Sequence, residues 1–336
     1  ISLAASNGFE TFVIELSNLK EQSKKGIELL TALLKSPNYT QDTLNKLKTM
    51  QTGSLKRKEN DFDYVANNQL KSVLFKGTTL ENSAAGTIES ISKIELKDIE
   101  NFISQTVCLE NLIIVAGGDF ELKEFEKLVK PLLETLNVGK KAQLEEVNFI
   151  SKKEEKVLIK DTQQAYIYFG SSFNINSKDE ENYKAKVASF ILGGSGFGSR
   201  LMEEIRVKRG LAYSAYGSIS INKSHSYFNG YLQTKNETAD EAKKLVGEII
   251  EDFVKNGVTN DELSAAKNFL TGSEPLRSET LSQRLNRAFT LYYRGLEPNY
   301  SQKELEKIQN LELTDLNNYI KSHNEINNLT FSIVRK

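Results

Sequence analysis

Hydrophobic residues recur along this chain with two different periods, which predict two kinds of secondary structure. Alternating apolar and polar positions are typical of half-buried strands. They occur at residues 9–16, 156–161, 164–173, 211–221, 226–234 and 329–334. Apolar residues spaced three or four apart predict amphipathic helices. They occur at residues 20–35, 96–107, 122–136, 179–192, 240–255, 260–269, 281–293 and 313–321. Because strands and helices are mixed, we expect an α+β fold with a helical layer on one face of a sheet.

Two further stretches carry weaker signals. A long helical pattern begins near Thr40 and continues to Leu70, with a break expected near Gly53 or Asn60. A continuous apolar run at residues 111–117 predicts a buried strand.

Parts of the first half of the chain recur in the second half at a nearly constant offset. Thr40–Leu44 and Thr52–Ser54 match Thr259–Leu263 and Thr271–Ser273, and residues 91–112 match residues 308–329 at apolar and aspartate positions. Polar residues repeated at fixed offsets indicate duplication of one structural unit.

We therefore predict two homologous domains, each a mostly antiparallel β-sheet with a layer of α-helices. The first domain is expected at residues 1–138 and the second at residues 150–336, joined by a polar linker at residues 139–149. Residues 150–227 have no counterpart in the first copy, so we expect the N-terminal part of the first domain to precede Ile1.

The segment from Gly193 to Gly217 combines a glycine-rich turn, a short helix and a strand. The helix is expected to end at Gly210, because glycine adopts positive φ at a helix end without a steric cost. A β-leaning pattern follows directly. Arg209 and Tyr213 therefore lie on either side of a helix-to-strand joint that can hold both side chains in place.

Residues 198–214, with the sequence GSRLMEEIRVKRGLAYS, resemble the second-half motif of the insulinase/pitrilysin family of zinc peptidases. The likeness is greatest to the branch that contains the mitochondrial and bacterial processing peptidases. The resemblance implies that Arg209 and Tyr213 help to hold a substrate peptide. It also implies that Gly194, Gly196 and Gly198 form a flexible loop beside the peptide channel.

Members of that family bind zinc through an H-x-x-E-H helix in the first half and a downstream glutamate. The pattern is absent from this sequence, whose two histidines, His225 and His323, lie far apart. Alignment on Leu44 brings the glutamate position near Ser54, and the nearest carboxylate, Glu59, is five residues further on. Since serine is a poor zinc ligand, we expect no catalytic residue and no metal ligand in this chain.

Composition and charge exclude several classes of protein. With 44 basic and 45 acidic residues among 336, the net charge of −1 gives no reason to expect a nucleic-acid or anionic-membrane partner. No apolar stretch approaches the roughly 20 residues that span a bilayer. The single cysteine, Cys108, cannot form an internal disulfide and is expected in or near the core. Nothing in the sequence indicates a compartment.

Three functions remain open. The first is a non-catalytic subunit of a processing-type peptidase, which binds an extended peptide and pairs with a homologous zinc-bearing subunit or with a second copy of itself. The second is a self-sufficient zinc endopeptidase whose histidines precede Ile1 and whose third ligand is Glu59 or another carboxylate. The third is a purely structural family member, since a fold does not by itself determine function.

Overall fold

The computed structural model describes residues 1–336, which form seven strands and thirteen α-helices. The strands are β1 (Ser2–Asn7), β2 (Phe12–Ser17), β3 (Glu154–Ile159), β4 (Gln164–Ser172), β5 (Ala212–Ile221), β6 (Ser226–Lys235) and β7 (Thr330–Arg335). The first helices are α1 (Ser23–Lys35), α2 (Gln41–Lys58), α3 (Phe62–Leu74), α4 (Ile88–Lys93), α5 (Leu96–Thr106) and α6 (Leu122–Leu133). The later ones are α7 (Asn182–Ser189), α8 (Arg200–Met202), α9 (Ala239–Asn256), α10 (Asn260–Gly272), α11 (Leu281–Arg294), α12 (Tyr300–Gln309) and α13 (Leu313–Ser322). A bilayer-crossing helix is not found, because none combines sufficient length with apolar composition.

The chain forms two compact units, and each contains more than one stretch of sequence. Unit 1 consists of Ile1–Lys56, Ala84–Glu145 and Glu279–Phe289. Unit 2 consists of Arg57–Ser83, Glu146–Ser278 and Thr290–Lys336. The domain boundaries predicted from the repeat, at residues 138 and 150, stay a prediction.

Unit 2 is built on one five-stranded sheet with the strand order β3-β7-β4-β6-β5. Only β3 and β7 are parallel, and all other neighbours are antiparallel. The α+β class with a mostly antiparallel sheet is therefore confirmed. β5 lies at one end of the sheet, which leaves it with a single strand neighbour.

The core of unit 2 lies on one face of this sheet. Ile167, Phe169, Phe228 and Leu232 point to that face and are fully buried. The apolar side of α9 packs into the same cluster, as its amphipathic spacing predicts. On the opposite face, α3 covers β4 and β7.

Unit 1 contains a two-stranded antiparallel sheet formed by β1 and β2. The turn between them is closed by the Gly8 amide, which donates to the Thr11 carbonyl at 2.9 Å. The strand predicted at residues 111–117 is wrong, because a 3₁₀ turn at Leu109–Asn111 leads into irregular backbone there. In the internal repeat, this stretch corresponds in sequence to the one that forms β7 in unit 2. β7 pairs with both β3 and β4. Unit 1 contains no strand beside residues 112–117, and an extended segment without a neighbour has no ladder to join.

The long helical pattern from Thr40 to Leu70 divides where Asn60 was expected to break it. α2 ends at Lys58, and α3 begins after Asp61, whose carboxylate accepts a hydrogen bond from the Tyr64 amide at 3.1 Å. This is an ordinary N-cap. The other expected break, Gly53, lies inside α2. Helix α12 was not anticipated, since few apolar residues occur in it.

Candidate functional site

The helix before Gly210 has unusual local geometry. After a π-helical turn at Phe190–Gly194 and the glycine loop, α8 starts behind Ser199, whose hydroxyl accepts from the Met202 amide. The helix then continues as a second π-helical turn at Glu203–Val207. It ends as predicted at Gly210, which has φ of +62°. π-helical turns often mark functional sites.

The start of the glycine loop is pressed against β5. A Cβ atom on Gly193 would lie only 2.4 Å from the Gly217 amide nitrogen and 2.6 Å from its carbonyl oxygen. One turn earlier, the Ser189 hydroxyl accepts a hydrogen bond from the Ile219 amide at 3.0 Å. These contacts fix one end of the loop that contains Gly194, Gly196 and Gly198.

Arg209 is held by a carboxylate of its own helix. Its Nη1 donates to the Glu204 carbonyl at 2.9 Å and to the Glu204 carboxylate at 2.6 Å. Lys208 donates to the same carboxylate, also at 2.6 Å. Hydrogen bonds from Lys208 and then Arg209 hold the pKa of Glu204 below its usual value. Arg209 is therefore exposed but already partnered.

Tyr213 is 80% exposed and stacks on a different arginine. The guanidinium carbon of Arg206 lies 4.4 Å from the centre of the Tyr213 ring and 4.5 Å from that of Phe197. We refer to these three residues as the Phe197–Arg206–Tyr213 stack. No ion pair or hydrogen bond engages the Arg206 side chain, so its donors remain available. Cation–π contacts of this kind orient an arginine without using its N–H groups.

Sequence reasoning missed Arg206 and favoured Arg209. The motif resemblance singled out Arg209, whereas the contact between Arg206 and Tyr213 depends on a tertiary arrangement that includes the π-helical turn at Glu203–Val207. The sequence features that could have indicated the role of Arg206 are its spacing from Tyr213 and the aromatic Phe197 in the glycine loop.

The structure shows where the His, Cys, Asp and Glu side chains, which are the possible metal ligands, lie. No cluster of three or more His, Cys, Asp or Glu residues is arranged to hold a metal ion. His225 is buried, with ring nitrogens near the Ser224 hydroxyl and the Asn222 amide, and His323 pairs with Glu325. Glu59 lies just beyond the end of α2 and is exposed. These residues do not fit a zinc site, which needs convergent ligands.

Two surface clefts lie elsewhere. One, in unit 1, is lined by Lys48 and residues 92–97. The other, in unit 2, is lined by residues 146–149, 173–179 and 222–226. Neither cleft contains Arg209 or Tyr213.

Comparison with known proteins identifies the family of this chain. A family model described as the peptidase M16 inactive domain matches residues 93–270. The chain is 46% identical over 334 residues to the "Non-peptidase homolog YmxG" of Helicobacter pylori, covering 99% of this chain and 77% of that protein. It is 22% identical over 269 residues to the "Uncharacterized zinc protease YmxG" of Bacillus subtilis, covering 80% of this chain and 65% of that protein.

A solved structure shows the same fold. The crystal structure of a peptidase M16 inactive domain from Pseudomonas fluorescens superposes with a TM-score of 0.90 at 21% identity, covering 99% of this chain and 80% of that one. The resemblance inferred from residues 198–214 is thereby confirmed. By its match to the family model and its identity to a curated relative, the chain belongs to the peptidase M16 family.

Proposed function

We propose that this chain is a non-catalytic subunit that binds an extended peptide and pairs with a zinc-bearing relative. The observation that carries the proposal is the Phe197–Arg206–Tyr213 stack, a half-buried arginine in contact with two exposed rings and with its hydrogen-bond donors unused. The match to an inactive-domain model supports the non-catalytic part.

The stack has the chemistry that peptide binding requires. A guanidinium presents five N–H donors in a plane, and carbonyl oxygens of an extended peptide are acceptors. Both rings contact the Arg206 guanidinium through their π faces and engage none of its N–H groups, which leaves these donors for peptide carbonyls. The Tyr213 hydroxyl can add a further donor. Arg209 contributes a second positive charge, although Glu204 already binds it.

The loop with Gly194, Gly196 and Gly198 complements the stack. It carries Phe197, and its start is anchored on β5 through Gly193. Glycine at three alternate positions lets the segment between adjust to different peptides. We therefore assign Gly194, Gly196 and Gly198 to peptide binding together with Arg209 and Tyr213.

The donor groups of the chain support the proposed pairing with a zinc-bearing partner. Hydrolysis in a zinc peptidase uses the metal to polarise the scissile carbonyl and to activate water. This chain does not bring three ligands together anywhere among its residues. A homologous zinc-bearing subunit would supply that chemistry, while this chain holds the peptide.

Peptide binding can be measured with short fluorescent peptides. Replacing Arg206 by alanine removes charge-assisted hydrogen bonds, so we expect affinity to fall about tenfold or more. Arg209→Ala and Tyr213→Phe should have smaller effects, because Glu204 already binds Arg209 and the Tyr213→Phe ring still stacks. Arg277→Ala, which removes an exposed arginine from a 3₁₀ turn, is the matched control and should bind normally.

Two results would overturn the proposal. Unchanged affinity in Arg206→Ala would remove the stack from the binding site and favour a purely structural role. Peptide hydrolysis by the chain alone, abolished by a chelator, would show that it is a self-sufficient zinc peptidase.

A further inference from the structure

Three tyrosines on neighbouring strands of unit 2 form a continuous aromatic row. Tyr168 of β4 lies opposite Tyr231 of β6, which lies opposite Tyr216 of β5. The ring centres are 5.4 Å apart between Tyr168 and Tyr231 and 5.5 Å apart between Tyr231 and Tyr216. We call these three residues the tyrosine row.

The row lies on the sheet face that does not carry the core of unit 2. Ile167, Leu232 and Ala215, one position away on the same strands, are fully buried on the core side. Helix α3 covers the β4 end of the row, whereas the β5 end is open. Tyr216 is 38% exposed there.

One end of the row is held rigidly. The Tyr168 hydroxyl donates to one oxygen of Asp63 at 3.1 Å, and the Gln233 amide donates to the other oxygen at 2.7 Å. Burial, together with the charge of Asp63, raises the pKa of Tyr168 above its usual value, so its hydroxyl stays a donor. Because stacking links the rings, fixing Tyr168 also restrains Tyr231 and Tyr216.

The surroundings of the row suit an uncharged polypeptide. Its neighbours in the next row are Gly170, Asn229 and Ser218. Tyrosine with serine, asparagine and glycine is the composition of surfaces that recognise polypeptides, since tyrosine offers contact area at low entropic cost and the small residues offer hydrogen bonds.

The row is also close to the proposed peptide site. Tyr216 follows Tyr213 by three residues on β5, and the register shift between Ala212 and Ala215 makes their separation along the strand shorter than the about 10 Å of three regular strand residues. From Gly217 onward, Gly193 and Ser189 cover the outer edge of β5. A peptide at the Phe197–Arg206–Tyr213 stack can therefore reach Tyr216 but cannot follow β5 further.

We propose that the tyrosine row selects peptides with an aromatic side chain, which stacks on Tyr216 as the next ring in the row. This inference rests on the proposed peptide-binding function and names the class of peptide. Ring spacings near 5.5 Å within the row show the geometry that the incoming ring would continue.

The chain contains no tryptophan, so emission from a tryptophan in the peptide reports binding directly. The probe is a pair of neutral peptides that differ at one position, which is Trp or Ala. Aromatic stacking predicts that the Trp peptide binds about two- to tenfold more tightly than the Ala peptide. Because the Ala peptide has no tryptophan, both peptides carry the same fluorescent label for this comparison.

Variants assign the preference to the row. Tyr216→Leu should abolish the advantage of the Trp peptide and leave affinity for the Ala peptide within about twofold, since aliphatic contact remains. Tyr216→Phe should keep the preference. Tyr292→Leu, which removes a tyrosine that is 69% exposed on α11, is the matched control and should behave as the unmodified chain.

The outcomes separate this inference from the proposed function. Equal affinity of the unmodified chain for the Trp and Ala peptides overturns the inference while peptide binding itself stands. A preference that survives in Tyr216→Leu likewise overturns it. Absence of binding by every peptide overturns the proposed function as well.

Discussion

Arg206 and Arg209 lie three residues apart in one helix, yet their guanidinium groups have different neighbours. Arg209 donates to Glu204, whereas Arg206 contacts two exposed rings and has no hydrogen-bond partner. Side chains with unused donors on an ordered scaffold are better placed to bind a ligand than side chains that are already paired. At the scale of single residues, therefore, the contacts of a side chain are more informative than its place in a motif.

Gly193 provides a test of the loop anchor at the same scale. Gly193→Ala would bring a Cβ atom within 2.4 Å of the Gly217 backbone, and a clash with backbone atoms cannot be relieved by rotating a side chain. We expect this overpacking to lower the free energy of unfolding by about 2 kcal/mol or more, measured by urea denaturation.

The control for Gly193→Ala is Gly247→Ala in the middle of α9, where nothing lies within 4 Å of the added Cβ. Alanine favours a helix more than glycine does, so this variant should be more stable by roughly 0.5–1 kcal/mol. Equal stability of both variants would contradict the close approach of Gly193 to β5.

At the scale of elements, Arg200 connects the start of the helix that carries Arg206 to α9 and α10. Its guanidinium donates to the Glu262 carboxylate on α10 and to the Gly257 carbonyl after α9. The Arg200 side chain is only 14% exposed. Together with the fully buried Leu201 and Ile205, this ion pair positions the helix that carries Arg206.

Glu262 gives this ion pair a pH dependence. Burial alone would raise the pKa of Glu262, but hydrogen bonds from Arg200 and the Thr259 amide outweigh it and hold the pKa below its ordinary value of 4.5. A carboxyl with a lowered folded-state pKa stabilises the fold above its unfolded pKa and loses that contribution as the pH falls through the folded value.

We therefore expect Glu262→Gln to destabilise the chain by about 1–3 kcal/mol at pH 7 and to differ little from the unmodified chain below about pH 3. Thermal unfolding followed across this pH range measures the difference. Asp42→Asn, which removes an exposed pair with Lys46, is the control and should change stability by less than about 0.5 kcal/mol. A constant difference between Glu262→Gln and the unmodified chain at all pH values would show that the ion pair is not the cause.

For the molecule as a whole, the arrangement of donor groups predicts its metal content. Since no three candidate ligands converge, the purified chain should contain far less than one zinc ion per molecule by elemental analysis. A chelator should leave its melting temperature unchanged, because a structural metal would otherwise contribute to folding. One zinc ion per chain, lost in Glu59→Gln, would contradict this.

Much of the fold could be read from local patterns, and the wrongly predicted strand at residues 111–117 shows where such patterns fail. The strands β3 to β7 and the helix α9 were found because their apolar periodicity is regular. Residues 112–117 have an equally apolar pattern but no neighbouring strand in unit 1, and so they stay irregular. Strand formation depends on a partner that may lie anywhere in the sequence, so a local pattern cannot guarantee it.

The amino-acid sequence by itself determined the family, the α+β class and the end of the helix at Gly210. Each of these follows from a local property, which is motif spacing, apolar periodicity or the positive φ that glycine permits. Only the tertiary structure decided that Arg206 rather than Arg209 stacks on Tyr213. It alone brought Tyr168, Tyr216 and Tyr231 into one row, because the order of strands in the sheet depends on non-local pairing. The sequence specifies which side chains are present, but tertiary packing determines which of them are in contact.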